Sequence, residues 1–140
     1  MYSLDELKAQ NQEIFDLCAV LSVLVEQRDL HNNTFVCELM ARFKEKVWLH
    51  LVFEDNTIYS ALARHDNSSV SNIAKDFHDS ARQIKKRFSS YVRRWCNASV
   101  GDDEHDDLVT ESREIFQLIK DRVEFENEKM FPLVTKHLAA

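Results

Sequence analysis

The sequence predicts an all-α fold, in which four long helices form an antiparallel up-down-up-down bundle. Its 140 residues include one glycine and one proline, and the tight turns of a β-sheet protein would need more of both. Apolar residues recur every three or four positions along four stretches, which three short polar segments separate. Long helices with short connections pack as antiparallel neighbours. The length and the 44% content of hydrophobic residues indicate a single domain, residues 1–140.

The first helical hairpin is expected to span residues 1–65. A capping box that begins at Ser3 predicts the start of its first helix, and the polar segment 28–33 ends that helix. The second helix is expected to start near Thr34 and to carry its apolar stripe as far as Leu62.

The second hairpin is expected to span residues 70–140. Its first helix is predicted at about 70–96, and its second helix at about 106–138 after an acidic loop. Pro132 lies inside the apolar pattern of the last helix and should kink or loosen its final turns, because proline cannot donate the helical hydrogen bond.

The charge balance limits the partners that we expect. The formal net charge is −6 and the pI is about 5.5, which argues against general attraction to nucleic acid or to an anionic membrane. No apolar run approaches the length of a membrane span, and the N-terminus does not resemble a secretory signal. We therefore expect a cytoplasmic protein. A protein partner remains open, as does the choice between monomer and homodimer.

The cysteines support the same expectation. Cys18, Cys37 and Cys96 are an odd number and form no Cys-x-x-Cys motif. The sequence alone therefore predicts three reduced thiols, as in most cytoplasmic proteins.

Polar residues interrupt the inward stripe of each helix close to its middle. In an antiparallel bundle such positions lie at one height, so we expect them to converge in one buried layer. Layers of this kind build metal sites from carboxylates and imidazoles. The six residues are Asn11, His50, Glu54, His78, Arg122 and Glu126.

Motifs in this layer resemble those of the hemerythrin-like (HHE cation-binding) domain family. His50 and Glu54 form a His-x-x-x-Glu motif that Ile58 and Tyr59 follow, and His78 lies in the sequence Asp-Phe-His-Asp. A second copy is incomplete, because its glutamate and its Met-Phe-Pro ending are present without a histidine. That copy comprises Glu126, Met130, Phe131 and Pro132.

This resemblance implies a four-helix bundle with a non-haem di-iron centre in its core, which in some members of the family binds oxygen or senses redox state. It makes Glu54 and Glu126 candidate bridging carboxylates, and His50 and His78 candidate terminal ligands. Asn11 stands at the position expected for the histidine of the first hairpin. Arg122 stands at the position expected for the histidine of the last helix, and arginine has no lone pair to give to a metal.

Two functional hypotheses follow, and neither includes enzymatic turnover. In the first, the protein is a hemerythrin-like binding or sensor protein with a reduced iron site formed by His50, Glu54, His78 and Glu126. In the second, it is a metal-free regulatory or protein-interaction module. There Arg122 replaces the metal charge between the two glutamates.

A basic run on the third helix has two interpretations. Lys85, Lys86 and Arg87, followed by Arg93 and Arg94, form either a solvated face or a docking stripe for an acidic partner. The large side chain Trp48 lies off the apolar stripe of the second helix, which favours a contact surface for it.

Overall fold

The computed structural model describes residues 4–28, 33–96 and 101–137. The capping box predicted at Ser3 and the end of the last helix predicted at Leu138 fall outside these residues. The all-α prediction is confirmed, because the described chain is helical apart from short connections. The α-helices are α1 (Leu4–Glu26), α2 (Thr34–Glu54), α3 (Ser60–Ala63), α4 (Ser68–Cys96), α5 (His105–Phe125) and α6 (Phe131–His137).

Two π-helical segments join pairs of these helices into longer ones. Asp55–Tyr59 connects α2 to α3, and Glu126–Met130 connects α5 to α6. A 3₁₀ turn, Asp102–Glu104, precedes α5. Helix α1 packs against α2 and α5, and α4 packs against the same two helices, so the chain forms a four-membered ring of neighbours.

Local sequence signals account for several helix ends. Asn33 caps α2, because its side-chain oxygen accepts a hydrogen bond from the backbone N–H of Phe35 at 2.8 Å. The helix also departs from α geometry near Pro132, as the sequence suggested. The π segment ends directly before α6, so the proline lies in the first turn of α6, where its missing N–H disrupts little.

The core consists of two apolar clusters. One fills the end of the bundle that contains the start of α2 and the end of α4, and it includes Phe43, Phe88 and Phe116. The other fills the opposite end and includes Leu62 and Phe77. The buried polar residues of the mid-helix layer belong to neither cluster.

The expectation of three reduced thiols is wrong for two of the cysteines. Cys37 at the start of α2 and Cys96 at the end of α4 form a disulfide, with their Cα atoms 5.6 Å apart. The two residues are 59 positions apart in sequence, and only the antiparallel packing of α2 and α4 brings them together. Cys18 is the free cysteine, and burial raises the pKa of its thiol to about 11.

Loss of the disulfide should destabilise the fold. In the chain-entropy model, release of a loop of this length lowers the free energy of unfolding by about 4 kcal/mol. We expect a Cys37→Ser/Cys96→Ser variant to unfold at lower urea concentration than the oxidised protein. The wild type in dithiothreitol should match the variant. An unchanged unfolding midpoint after reduction would contradict the prediction.

A candidate metal centre in the bundle core

The polar layer is built from two pairs of residues, each separated by one helical turn. His50 and Glu54 come from the last turns of α2, and Arg122 and Glu126 come from the end of α5 and the start of its π segment. None of these residues is more than 5% exposed. Charged groups at this depth are stable only with partners.

Three of these side chains offer ligand atoms to a common point. The Nε2 atom of His50 lies 3.0 Å from Oε1 of Glu126 and 3.1 Å from Oε1 of Glu54. The ligand atoms of the three residues all lie within 4.8 Å of one another. One imidazole with two carboxylates is a ligand set that suits divalent transition metals. These three residues can therefore hold a metal ion.

Arg122 occupies the opposite side of the layer. Its Nε donates a hydrogen bond to Oε2 of Glu126 at 2.6 Å, and its Nη1 donates to the backbone carbonyl of Phe77 at 2.6 Å. Its guanidinium carbon lies 3.6 Å from the centre of the Phe77 ring. A hydrogen bond to a charged partner and a cation–π contact together offset much of the desolvation of the arginine.

The two glutamates differ in how well they are satisfied. Glu126 accepts bonds from His50 and Arg122, one on each oxygen. Among the described residues, no donor makes a hydrogen bond of good geometry to either oxygen of Glu54, although Nη2 of Arg122 lies 3.7 Å from Oε1. A buried carboxylate that lacks donors needs a proton or a cation. The orphaned oxygens thus fit a cation bound beside Glu54.

The titration behaviour of the layer follows from the same contacts. Burial alone would lower the pKa of His50, but its hydrogen bond to Glu126 and the nearby negative charge of Glu54 raise this pKa to about 10. Burial, together with the charge of Glu126, raises the pKa of Glu54 to about 8. Burial would also raise the pKa of Glu126, but the bond from His50 and the charge of Arg122 lower it to about 2.

The structure does not bring His78 to the three ligand residues. Its Nδ1 lies 3.3 Å from Oδ1 of Asp55, its ring stacks on Tyr59 with centroids 4.4 Å apart, and its side chain is 33% exposed. The residue of α4 that faces the layer is therefore Phe77 and not its neighbour His78. The buried stripe of α4 runs through Phe77, which supplies the carbonyl and the ring for Arg122.

Asn11 is buried in the layer but does not join the ligand group. Its Nδ2 donates to Oδ1 of Asn127 at 3.4 Å, and its own oxygen has no hydrogen-bond donor among the described residues. The residue before it contacts the site instead. Gln10 holds its Oε1 atom 2.6 Å from Nδ1 of His50. Sequence reasoning missed Gln10 because it lies one position off the inward stripe of α1.

Both π segments occur at the metal-site glutamates. One begins directly after Glu54, and the other begins at Glu126. A π turn inserts a residue into an α-helix, and such insertions are frequent at functional sites. The two helical hairpins thus form an internal repeat, in which each copy has a glutamate followed by the same irregular helix geometry. The apolar periodicity of the sequence does not predict these π turns.

A surface cavity leads towards His50. It has a volume of about 320 Å³ and lies between α1 and α2. Gln10, Lys46 and Leu49 line its wall, and His50 lies among its lining residues. A small solute can therefore approach the imidazole from the α1–α2 side.

The fold and the site define a class of protein, namely a helical bundle with a buried cluster of one histidine and two glutamates that can hold a cation. The family model of the hemerythrin HHE cation-binding domain matches residues 3–134, and the chain belongs to this family. The resemblance inferred from the motifs is thereby confirmed. Neither a curated protein nor a solved structure matches the chain. No helix in the described part of the chain is long and apolar enough to cross a membrane.

The pKa shifts predict how the stability of the metal-free protein depends on pH. His50 titrates near 6.5 in the unfolded chain and near a pKa of about 10 in the fold, so its stabilisation is complete below pH 6.5 and is lost as the pH rises. The raised pKa of Glu54 acts in the same direction. We expect the free energy of unfolding to fall as the pH rises, between about 4.5 and 8 for the proton on Glu54 and between about 6.5 and 10 for the proton on His50. Each proton contributes a slope of about 1.4 kcal/mol per pH unit within its window.

Urea unfolding in the presence of a chelator measures this slope. A His50→Gln/Glu54→Gln variant should be less stable at low pH and should show a nearly flat profile. His65→Gln, which changes a histidine in the connection before α4, should keep the wild-type slope. Parallel profiles for the double variant and the wild type would show that the layer does not titrate in this way.

Proposed function

We propose that this protein is an iron-binding sensor of the hemerythrin type that holds a single non-haem iron ion. His50, Glu54 and Glu126 are its protein ligands. The observation that supports this proposal best is the pair of orphaned Glu54 oxygens, which are buried beside the imidazole of His50. The function is binding rather than turnover.

The donor set is compatible with iron and favours transition metals over the hard divalent cations. Imidazole nitrogen and carboxylate oxygen together suit Fe, Mn and Zn more than the hard ions Mg and Ca. When bound, iron supplies one-electron redox chemistry and open coordination positions for a small ligand.

Neighbouring residues orient the ligands. Gln10 accepts the Nδ1–H of His50, which presents the Nε2 atom towards the glutamates. Arg122 holds Oε2 of Glu126 and leaves Oε1 on the His50 side. The cavity between α1 and α2 offers a route by which a small molecule or ion reaches the site.

Arg122 also supports a second candidate function. Its contacts with Glu126 at 2.6 Å and with Glu54 at 3.7 Å place a permanent positive charge between the two acids. In this alternative, the layer is a structural salt-bridge network without metal. The protein then acts as a regulatory or protein-interaction module.

Metal analysis distinguishes the two functions. We expect protein purified without chelator, or titrated anaerobically with Fe(II), to contain about one iron per chain, detected by elemental analysis and by a change in the optical spectrum. Glu54→Gln should lose most of this iron, because it removes a charged ligand. Glu124→Gln, which makes the same change on the exposed face of α5, should retain it. No stoichiometric iron in the wild type would leave the metal-free module as the function.

An Arg122→Met variant provides a second test. Removing one partner from a buried ion pair costs about 3–5 kcal/mol, so the metal-free variant should be clearly destabilised in urea. If the site binds iron, added Fe(II) should restore part of the lost stability, because the cation supplies the missing positive charge. The absence of any rescue by Fe(II) would contradict the iron proposal and favour the module.

A further inference from the structure

A groove on the surface runs between α2 and α4, away from the metal centre. It has a volume of about 620 Å³. Trp48 lines it from the α2 side, and Arg82 and Lys86 line it from the α4 side. The tryptophan and the start of the basic run are distant in sequence, and the fold brings them together in one groove.

Helix α4, which forms one wall of this groove, is strongly basic in its second half although the chain as a whole is acidic. Between Asp79 and Cys96 the helix contains no acidic residue, while the net charge of the chain is −6. Six cations occupy this segment, namely Arg82, Lys85, Lys86, Arg87, Arg93 and Arg94.

Half of these cations have acidic partners within the molecule. Lys85 pairs with Asp55 at 3.6 Å, Arg87 pairs with Glu114 at 3.8 Å, and Arg94 pairs with Glu111. The other three make no ion pair or hydrogen bond with any residue that the structure describes. They are the exposed residues Arg82, Lys86 and Arg93.

The three unpaired cations form a row along the helix. Residues at i, i+4 and i+11 share one face of an α-helix, and the row from 82 to 93 extends about 16 Å. Like charges one turn apart destabilise a helix slightly. A contribution to folding stability therefore does not explain why three cations lie in a row on this helix.

Trp48 gives this row an apolar anchor. Its side chain is 37% exposed, and the ammonium group of Lys44 lies 5.3 Å from the ring centre. Tryptophan is enriched among the residues that dominate binding at protein interfaces. A surface that combines an exposed tryptophan with a row of cations matches a ligand with both apolar and acidic groups.

We propose that the α2–α4 groove binds an acidic amphipathic helix of a partner protein. Within the groove, carboxylates one turn apart on that helix pair with Arg82 and Lys86, and an apolar side chain packs on Trp48. A third carboxylate, about two turns further along, pairs with Arg93, which lies beyond the residues that line the groove. This proposal does not depend on the metal centre.

Charges around the row favour a protein helix over a polyanion. Asp79 lines the groove itself, and Glu111 and Glu114 border the row on the α5 side. A nucleic acid backbone or an anionic membrane presents continuous negative charge, which these acids repel. A helix can place separate carboxylates opposite the cations and neutral residues opposite the acids.

A synthetic helical peptide tests the proposal. The peptide carries glutamates at i, i+4 and i+11 with leucines on the adjoining face, and a second peptide has glutamines in place of the glutamates. Fluorescence anisotropy of labelled peptide measures the dissociation constant. We expect the glutamate peptide to bind at least about tenfold more tightly, with an affinity that falls as salt rises.

Two matched triple variants localise the binding. Arg82→Gln/Lys86→Gln/Arg93→Gln removes the row, and we expect at least about tenfold weaker peptide binding. Arg28→Gln/Arg42→Gln/Arg113→Gln removes the same total charge from cations that form exposed ion pairs elsewhere. This control should change binding by less than about twofold, and Trp48→Ala should weaken binding while preserving the fold.

Several results would overturn the proposal. They are undetectable binding of the glutamate peptide, equal loss in the two triple variants, and tighter binding of a single-stranded RNA oligonucleotide or of anionic lipid vesicles than of the peptide. Self-association in sedimentation velocity that the row variant abolishes would instead assign the groove to a second copy of the chain.

Discussion

Two glutamates that face the same point in a dry core impose the main constraint on this protein. Ionised carboxylates at such a separation repel each other, and the interior cannot screen them as water does. The repulsion must therefore be relieved, either by a proton on one carboxyl group or by positive charge from a protonated His50, from Arg122 or from a metal. The bundle supports this layer with an apolar cluster at each end, and Phe77 fixes Arg122 through both its carbonyl and its ring.

The internal repeat explains why the layer is asymmetric. Each half of the chain places a glutamate at the start of a π segment, one turn after a positively charged or chargeable residue. That residue is His50 in the first half and Arg122 in the second. Histidine can give a lone pair to a metal and arginine cannot. Each oxygen of Glu126 consequently has a protein donor, whereas neither oxygen of Glu54 has a donor of good geometry among the described residues. The ligand atoms on the His50 side therefore suit one cation rather than two.

Periodicity in the sequence was sufficient to predict the bundle and most of the layer, because helices of this length keep a constant face towards the core. Periodicity failed to predict which of two adjacent residues on a helix faces the core. His78 and Phe77 both fit the stripe of α4, and only the packing of α4 against its neighbours selects Phe77 for the core. The pairing of Cys37 with Cys96 depends on the relative height of two helices. Hydrophobic patterns indicate which face of a helix is buried, but they do not give the position of one helix along the bundle axis relative to its neighbours.

The protonation of the layer makes it suited to exchange protons for a cation. Near neutral pH the raised pKa values leave a proton on His50 and on Glu54, while Glu126 is ionised and Arg122 is charged. A divalent cation that binds these ligands displaces both protons, because imidazole and carboxylate ligate only when deprotonated. The two released protons carry away two positive charges and the divalent cation brings two, so the net charge of the layer does not change. The same contacts that keep the metal-free bundle folded thus allow a cation to enter without Arg122 having to leave.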